Sequence, residues 1–484
     1  MISKKFITSS FVYSVIGALP LATGFVLLPF YTGYLSTSDF GMLGIYIIFS
    51  QLIQILFNFG LDNFIPLSYI DNKDNPTKQR ESLSTATVSL IILGIFLITT
   101  LYFFGNPIFG AINDMLYHNK GLIFFPWGFM SIVTAFFNSM FKSYTNLLIY
   151  QQRPLKYFWM NIFNFAITIG ISLTGIYLYP YELIGPMWGR LLSGVGIFVV
   201  SFTFFIFEFG ISFNKILLRP IFKFCYPLVL YAIIIWIVGN IDHFIIPHYL
   251  DFRSVGIFDF AIKCTLIIDF FQNGLTSAIQ PKIYNIWKDQ NLRESTPEVN
   301  RYYNGYTAIT LIVLPLFLIV IPTLVPFVVT KPDYDKSFVF LAILSVGFAS
   351  RGLFTMYISP ISYFKKTHLL PGIFIISAIL QITLNLILIK HFGLMGAVWT
   401  CFIVKIAQVI LLYFATRKIF KFKYNRFKQI YLPLTYTVIL IMLEYIVPVN
   451  LRIYSYIGQF VIIATLISFL YRKELKMLLA QKFW

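Results

Sequence analysis

Charge is what this chain most lacks: 12% of its 484 residues are Asp, Glu, Lys or Arg, against about 25% in a soluble domain. With 58% apolar and 19% aromatic residues and a mean hydropathy of +0.78, too little polar surface remains to solvate a globule of this size. A bilayer accepts such a chain, because lipid solvates the apolar faces that water would not. Cysteine is scarce as well. Cys225, Cys264 and Cys401 each fall in an apolar stretch with no partner at metal-ligand or redox spacing. That pattern excludes a disulfide framework and leaves three small buried hydrophobes. Long hydrophilic segments are missing too, since no loop exceeds about 20 residues. An ATPase domain is thereby excluded, and neither a P-loop nor an HExxH zinc pattern occurs. The five histidines (His118, His243, His248, His368 and His391) sit at span ends or in loops, without metal-ligand spacing on one helix. No metal and no cofactor are expected, although His243 beside Asp242 is placed for proton exchange.

What is abundant is apolar runs. A helix needs about 20 apolar residues to cross ~30 Å of hydrocarbon. Fourteen such runs are expected, near 7–30, 41–70, 83–104, 121–141, 157–178, 186–208, 224–246, 256–280, 304–328, 337–360, 369–389, 394–414, 429–447 and 453–471. The first follows Lys4 and Lys5 and is too long for a signal-peptide core, with no cleavage pattern closing it. It stays as a span.

The net charge of +18 could suggest nucleic acid, but basic residues also collect in cytoplasmic loops. With the N-terminus inside, the inner loops and tails hold 27 Lys and Arg and the outer loops six: Lys120, Arg253, Lys331, Lys336, Lys390 and Arg452. A wrong span count would scramble that asymmetry. The expectation is an all-α polytopic protein of the cytoplasmic (inner) membrane, with both termini in the cytoplasm and no nucleic-acid partner.

An internal repeat organises these spans. Gly41, Asn58 and Pro66 recur 215 residues later as Gly256, Asn273 and Pro281. Leu183, Gly185 and Trp188 recur 211 residues later as Leu394, Gly396 and Trp399. Two six-helix lobes of like orientation follow, 1–215 and 216–425, with a helix pair and tail at 426–484.

A charge within a span is costly, so it faces protein or a wet cavity. The embedded bases are Arg190, Lys263, Arg351 and Lys405. Arg190 lies near a span end, where snorkelling explains it as well as function does. Lys263 has Asp259 four residues earlier on the same face, so mutual neutralisation competes with a cavity role. Lys405 has no acidic residue within a turn and is the strongest cavity base. Asp62, Asp242, Asp259 and Asp269 could couple transport to a cation or pair structurally, and Asp242 and Asp269 are the best coupling candidates. Glu444 reads as interfacial. Most Tyr and Trp fit interfacial belts. Pro20, Pro66, Pro227, Pro315 and Pro322 interrupt spans and are hinge candidates, with packing irregularity the alternative.

The segments LLPFYTGYLSTSDFGMLGIY (27–46), NFGLDNFIP (58–66), GNIDHFIIPHYLDFRSVGIFDFAIKC (239–264) and HFGLMGAVWTCFIVKIAQ (391–408) together resemble the Wzx-type polysaccharide (O-antigen) flippases. His243 departs from that pattern, in which Arg or Lys often follows the aspartate. The resemblance implies the multidrug/oligosaccharidyl-lipid/polysaccharide exporter fold, with two six-helix lobes around a cavity that opens alternately to each side. It implies an undecaprenyl-diphosphate-linked oligosaccharide moved from the inner to the outer leaflet; the embedded carboxylates add H+ or Na+ as the coupling cation, and glycan polymerase machinery is a candidate partner. The extra span pair resembles fourteen-helix members, including lipid II flippases. A multidrug antiporter of the same fold would favour an acidic or aromatic cavity, and a membrane glycosyltransferase or polymerase would favour longer outer loops.

Overall fold

The computed structural model describes residues 19–114, 121–289, 292–329, 331–420, 424–472 and 474. They are overwhelmingly helical, and the chain divides into two compact units, Met1–Gly256 and Ile257–Trp484. The first contains α1 (Leu19–Tyr34), α2 (Thr37–Asn58), α3 (Leu61–Asp71), α4 (Pro76–Ile112), α5 (Phe129–Tyr150), α6 (Pro154–Leu178), α7 (Ile184–Phe209), α8 (Lys215–Asn240) and α9 (Asp242–Tyr249). Then come α10 (Phe252–Asp289), α11 (Leu292–Val328), α12 (Phe338–Val346), α13 (Arg351–Tyr363), α14 (Leu370–Phe392), α15 (Leu394–Arg417), α16 (Leu432–Ile446) and α17 (Arg452–Leu470).

Among the described residues, twelve helices are long and apolar enough to cross a membrane. The protein is a multi-pass membrane protein. Two of the fourteen expected spans are not among the twelve, for different reasons. The first is described only from Leu19, and its earlier residues lie outside the described part. The other is α10, which has ample length at 38 residues but carries Asp259, Lys263, Asp269, Gln272 and Asn273 along its middle. Polar content, not length, keeps it off the count.

Local sequence sets the helix ends. The Ser36 side chain caps α2 by accepting from the Asp39 amide at 3.0 Å, and Asp39 adds charge to that first turn. The same helix stops where Phe59 and Gly60 both take the left-handed conformation. At Gly60 a Cβ would also lie 3.1 Å from the Cys225 carbonyl, so glycine suits both φ and space.

The repeated Leu-x-Gly motifs have one structural meaning. Gly185 lets the start of α7 close on Gly175 of α6, and Gly396 lets the start of α15 close on Leu388 of α14. Each motif folds a tight antiparallel hairpin in its own unit. The lobes expected from the repeat divide at 215/216, whereas compactness divides the chain at 256/257. Accordingly, α8 packs on α2, α3 and α4 of the first unit. The C-terminal pair, α16 and α17, packs on α12 and α11 within the second.

Pro66, Pro227, Pro315 and Pro322 each lie inside a helix that runs through them, and Pro20 falls at the start of α1. Interruptions of the helices occur at Phe59–Gly60, at Ile241 between α8 and α9, and at Gly347–Ser350, a short 3₁₀ turn between α12 and α13.

Candidate functional site

Three embedded charges of the second unit, Lys405, Arg351 and Asp269, gather around that 3₁₀ turn. Lys405, midway along α15, extends its stem past Gly347, where an added Cβ would lie 2.8 Å from its Cδ. Its ammonium lies 3.8 Å from the centroid of the Phe348 ring, a cation–π contact. Among the described residues Lys405 has no carboxylate within salt-bridge distance, although Asp269 and Arg351 lie within its electrostatic range.

Arg351, the first residue of α13, donates to Asn273 Oδ1 at 3.1 Å and stands 3.9 Å from Asp269 Oδ1. Asn273 donates in turn to Asp269 Oδ2 at 3.0 Å. The Arg351 guanidinium also lies 5.1 Å from the centre of the Phe354 ring. Arg351 and Asp269 both remain about one-third exposed, so this cluster is reachable rather than sealed. Behind it, buried Gln272 donates to the Phe348 carbonyl at 3.0 Å and fixes the turn to α10. Two cations and one carboxylate leave the cluster with excess positive charge. It can receive an anion.

The other expected site residues have surroundings of their own. Lys263 is joined to Asp259 by a salt bridge of 2.5 Å along α10, the neutralisation their spacing allows. Asp62 is buried and joined to Lys142 at 2.9 Å, while Asn146 donates to its main-chain carbonyl. Asp242 and His243 are buried together at the start of α9. Arg190 is half-buried in α7 within electrostatic range of Tyr31, and no described carboxylate pairs with it. Glu444, expected at an interface, lies near the end of α16 and is buried by protein: Arg452 pairs with it and Tyr456 donates to it at 2.6 Å. Sequence reading had not singled out Phe348, Gly347 or Gln272. Asn273 was visible as a repeat position. Lys142, counted as a loop base, is the partner of Asp62.

A family model described as "Polysaccharide biosynthesis protein" matches residues 34–332, more than half of the chain. The chain belongs to that family. Its fold is similar to that of a lipid II flippase MurJ in an inward closed conformation, with TM-score 0.69 and 15% identity over 99% of each chain. It is also similar to a multidrug resistance MATE family transporter of the MOP superfamily in an inward-facing conformation, with TM-score 0.66 and 13% identity. That match covers 86% of this chain and 95% of the transporter. A Vibrio cholerae MATE transporter gives TM-score 0.58 at 10% identity, over 85% and 96% of the two chains. A comparison with curated proteins gives no match. The family member described here therefore has a flippase or transporter fold.

Proposed function

We propose that the protein flips an undecaprenyl-diphosphate-linked oligosaccharide from the inner to the outer leaflet of the bacterial cytoplasmic membrane by alternating access, with both termini in the cytoplasm. The observation that carries this reading is the state of Lys405. A mid-helix ammonium held by a neutral ring, with Arg351 in electrostatic range, keeps its charge available to an incoming anion. Had a carboxylate held it, a diphosphate would first have to break a salt bridge. Here it displaces only a ring contact worth about 0.5–2 kcal/mol. Arg351 supplies planar donors suited to phosphate oxygens.

Asp269 gives the cycle its coupling element. Protonation or Na+ binding at its carboxylate weakens its hold on Arg351 and strengthens the site for an anion. Glycan polymerase machinery is the natural recipient of the flipped product. The family description favours a surface polysaccharide over peptidoglycan precursor as cargo. Complementation of two strains tests this, one blocked in surface-glycan flipping and one in lipid II flipping. Rescue of the first alone is expected. Rescue of the second alone makes lipid II the cargo, and export of organic cations with neither rescue makes the protein a multidrug antiporter.

A further inference from the structure

One face of α11 connects the charged cluster to the far end of the chain. Asn304, Thr307 and Thr310 lie three residues apart along it, all buried. At the lower end, Asn304 donates to Glu474 Oε1 at 3.1 Å, and Lys428 pairs with the same oxygen at 2.7 Å. Gln429 donates to Asn304 Oδ1 at 2.8 Å and accepts from the Thr307 hydroxyl at 3.0 Å. Tyr471, just beyond α17, donates to the Lys428 carbonyl at 2.6 Å. At the upper end, Thr307 abuts Gly352, where a Cβ would lie 2.8 Å from its hydroxyl oxygen. Gly352 is the neighbour of Arg351. The adjacent Tyr306 donates to the Gln272 carbonyl at 3.4 Å, and Gln272 also reaches Thr310 at 3.3 Å.

We infer that the C-terminal helix pair sets the position of Arg351 through the relay Glu474–Asn304–Gln429–Thr307, so that Gln429 and Thr307 are positioning residues for the anion site. Every link lies in the second unit; those from Glu474 to Thr307 are buried polar contacts, and the last, Thr307 against Gly352, is close packing. A buried polar group that loses its partner must find another, so a shift at either end forces re-pairing along the line. The packing of α17 and its extension thus biases where α13 begins, and Arg351 is its first residue. This inference rests on the anion reading of the site only for its functional consequence. The mechanical link stands or falls separately.

The test uses the full chain purified in detergent. Thr307→Val keeps shape but removes the hydroxyl, Thr307→Ser keeps the hydroxyl, and Gln429→Leu removes both of its bonds. Hydrogen exchange across residues 347–352 reads the link without any ligand. It should quicken in Thr307→Val and Gln429→Leu but not in Thr307→Ser. Affinity for geranylgeranyl diphosphate, with inorganic pyrophosphate as the headgroup-only arm, should fall about three- to tenfold in the same two variants. Reversing one partner, as Lys428→Glu or Glu474→Lys, should weaken binding similarly, and the double reversal should leave it weak, because a lysine at 474 restores the ion pair but cannot accept from Asn304. Unchanged exchange at 347–352 in both disrupting variants overturns the relay. Altered exchange in a protein whose wild type binds neither diphosphate leaves the relay standing and removes the anion reading instead.

Discussion

The Lys405 ammonium rests on Phe348 because residue 347 is glycine: the lysine stem crosses the 3₁₀ turn where any side chain would meet it. Gly347→Ala should therefore act on Lys405. Its Cβ, 2.8 Å from Lys405 Cδ, pushes the stem away from the ring, and export should fall several-fold at unchanged membrane abundance. Lys405→Met should reduce export below about one-tenth of wild type, the scale of losing one charge-assisted phosphate contact of ~1.5–3 kcal/mol. Surface-glycan immunoblots normalised to protein in the membrane fraction would measure both. Wild-type export by Lys405→Met removes the lysine from the mechanism.

Lys263 should behave differently, because its charge is already spent on Asp259. Lys263→Met alone takes this ion pair from a carboxylate that is 6% exposed, at a cost of up to about 3–5 kcal/mol. The melting midpoint in detergent should drop. Replacing both partners, as Asp259→Asn with Lys263→Met, should recover most of that stability and keep export within about twofold of wild type. A double variant that is stable yet silent in export would place Lys263 among the substrate contacts after all.

These two lysines show what the sequence could and could not reveal. An i, i+4 acid was enough to raise neutralisation of Lys263 as an alternative to a cavity role, because the helix fixes that geometry. The isolation of Lys405 from acids was equally local and equally legible. Its neighbours Gly347 and Phe348 come from a different helix, so no spacing rule reaches them. Apolar runs located most of the helices, since burial in lipid is a per-residue property. The run over 256–280 was located in the same way, although the polar residues along α10 keep it off the count of twelve. The partners of Glu444 were hidden for a related reason. Its partners Arg452 and Tyr456 lie across a hairpin turn, and only folding shows that they bury it.

The repeat predicts a second pair of critical residues. Within the first unit, a Cβ on Gly41 would lie 2.0 Å from the Phe252 carbonyl, and one on Gly256 would lie 2.1 Å from the Thr37 carbonyl. Phe252 and Thr37 are related by the same 215-residue offset as the two glycines, so the contact is reciprocal. Both obstacles are backbone atoms and cannot rotate aside. Gly→Ala in a helix ordinarily gains about 1 kcal/mol. At either position it should instead destabilise by about 1–3 kcal/mol or more, as overpacking does. Thermal unfolding in detergent decides the matter. Gly24→Ala, which meets nothing within 4 Å, is the control and should be neutral or stabilising.

The C-terminal latch gives a pH dependence of definite sign. Burial pushes the Glu474 carboxyl up, but hydrogen bonds from Lys428 and Asn304 and the Lys428 charge more than offset it, leaving the group below its ordinary value of 4.5. A carboxyl depressed on folding contributes stability that is complete above the unfolded value and fades as pH falls through the lower folded one. Glu474→Gln should therefore melt about 2–4 °C below wild type near neutral pH, the scale of ~1 kcal/mol in a domain this large. The gap should hold as the buffer is acidified toward about pH 5 and then close below about pH 4.5, where wild type loses the same contribution. Melting curves of both proteins across that range, at fixed detergent and salt, measure it. A gap that widens on acidification would mean that the carboxyl is held neutral in the fold and that Lys428 does not hold it ionised.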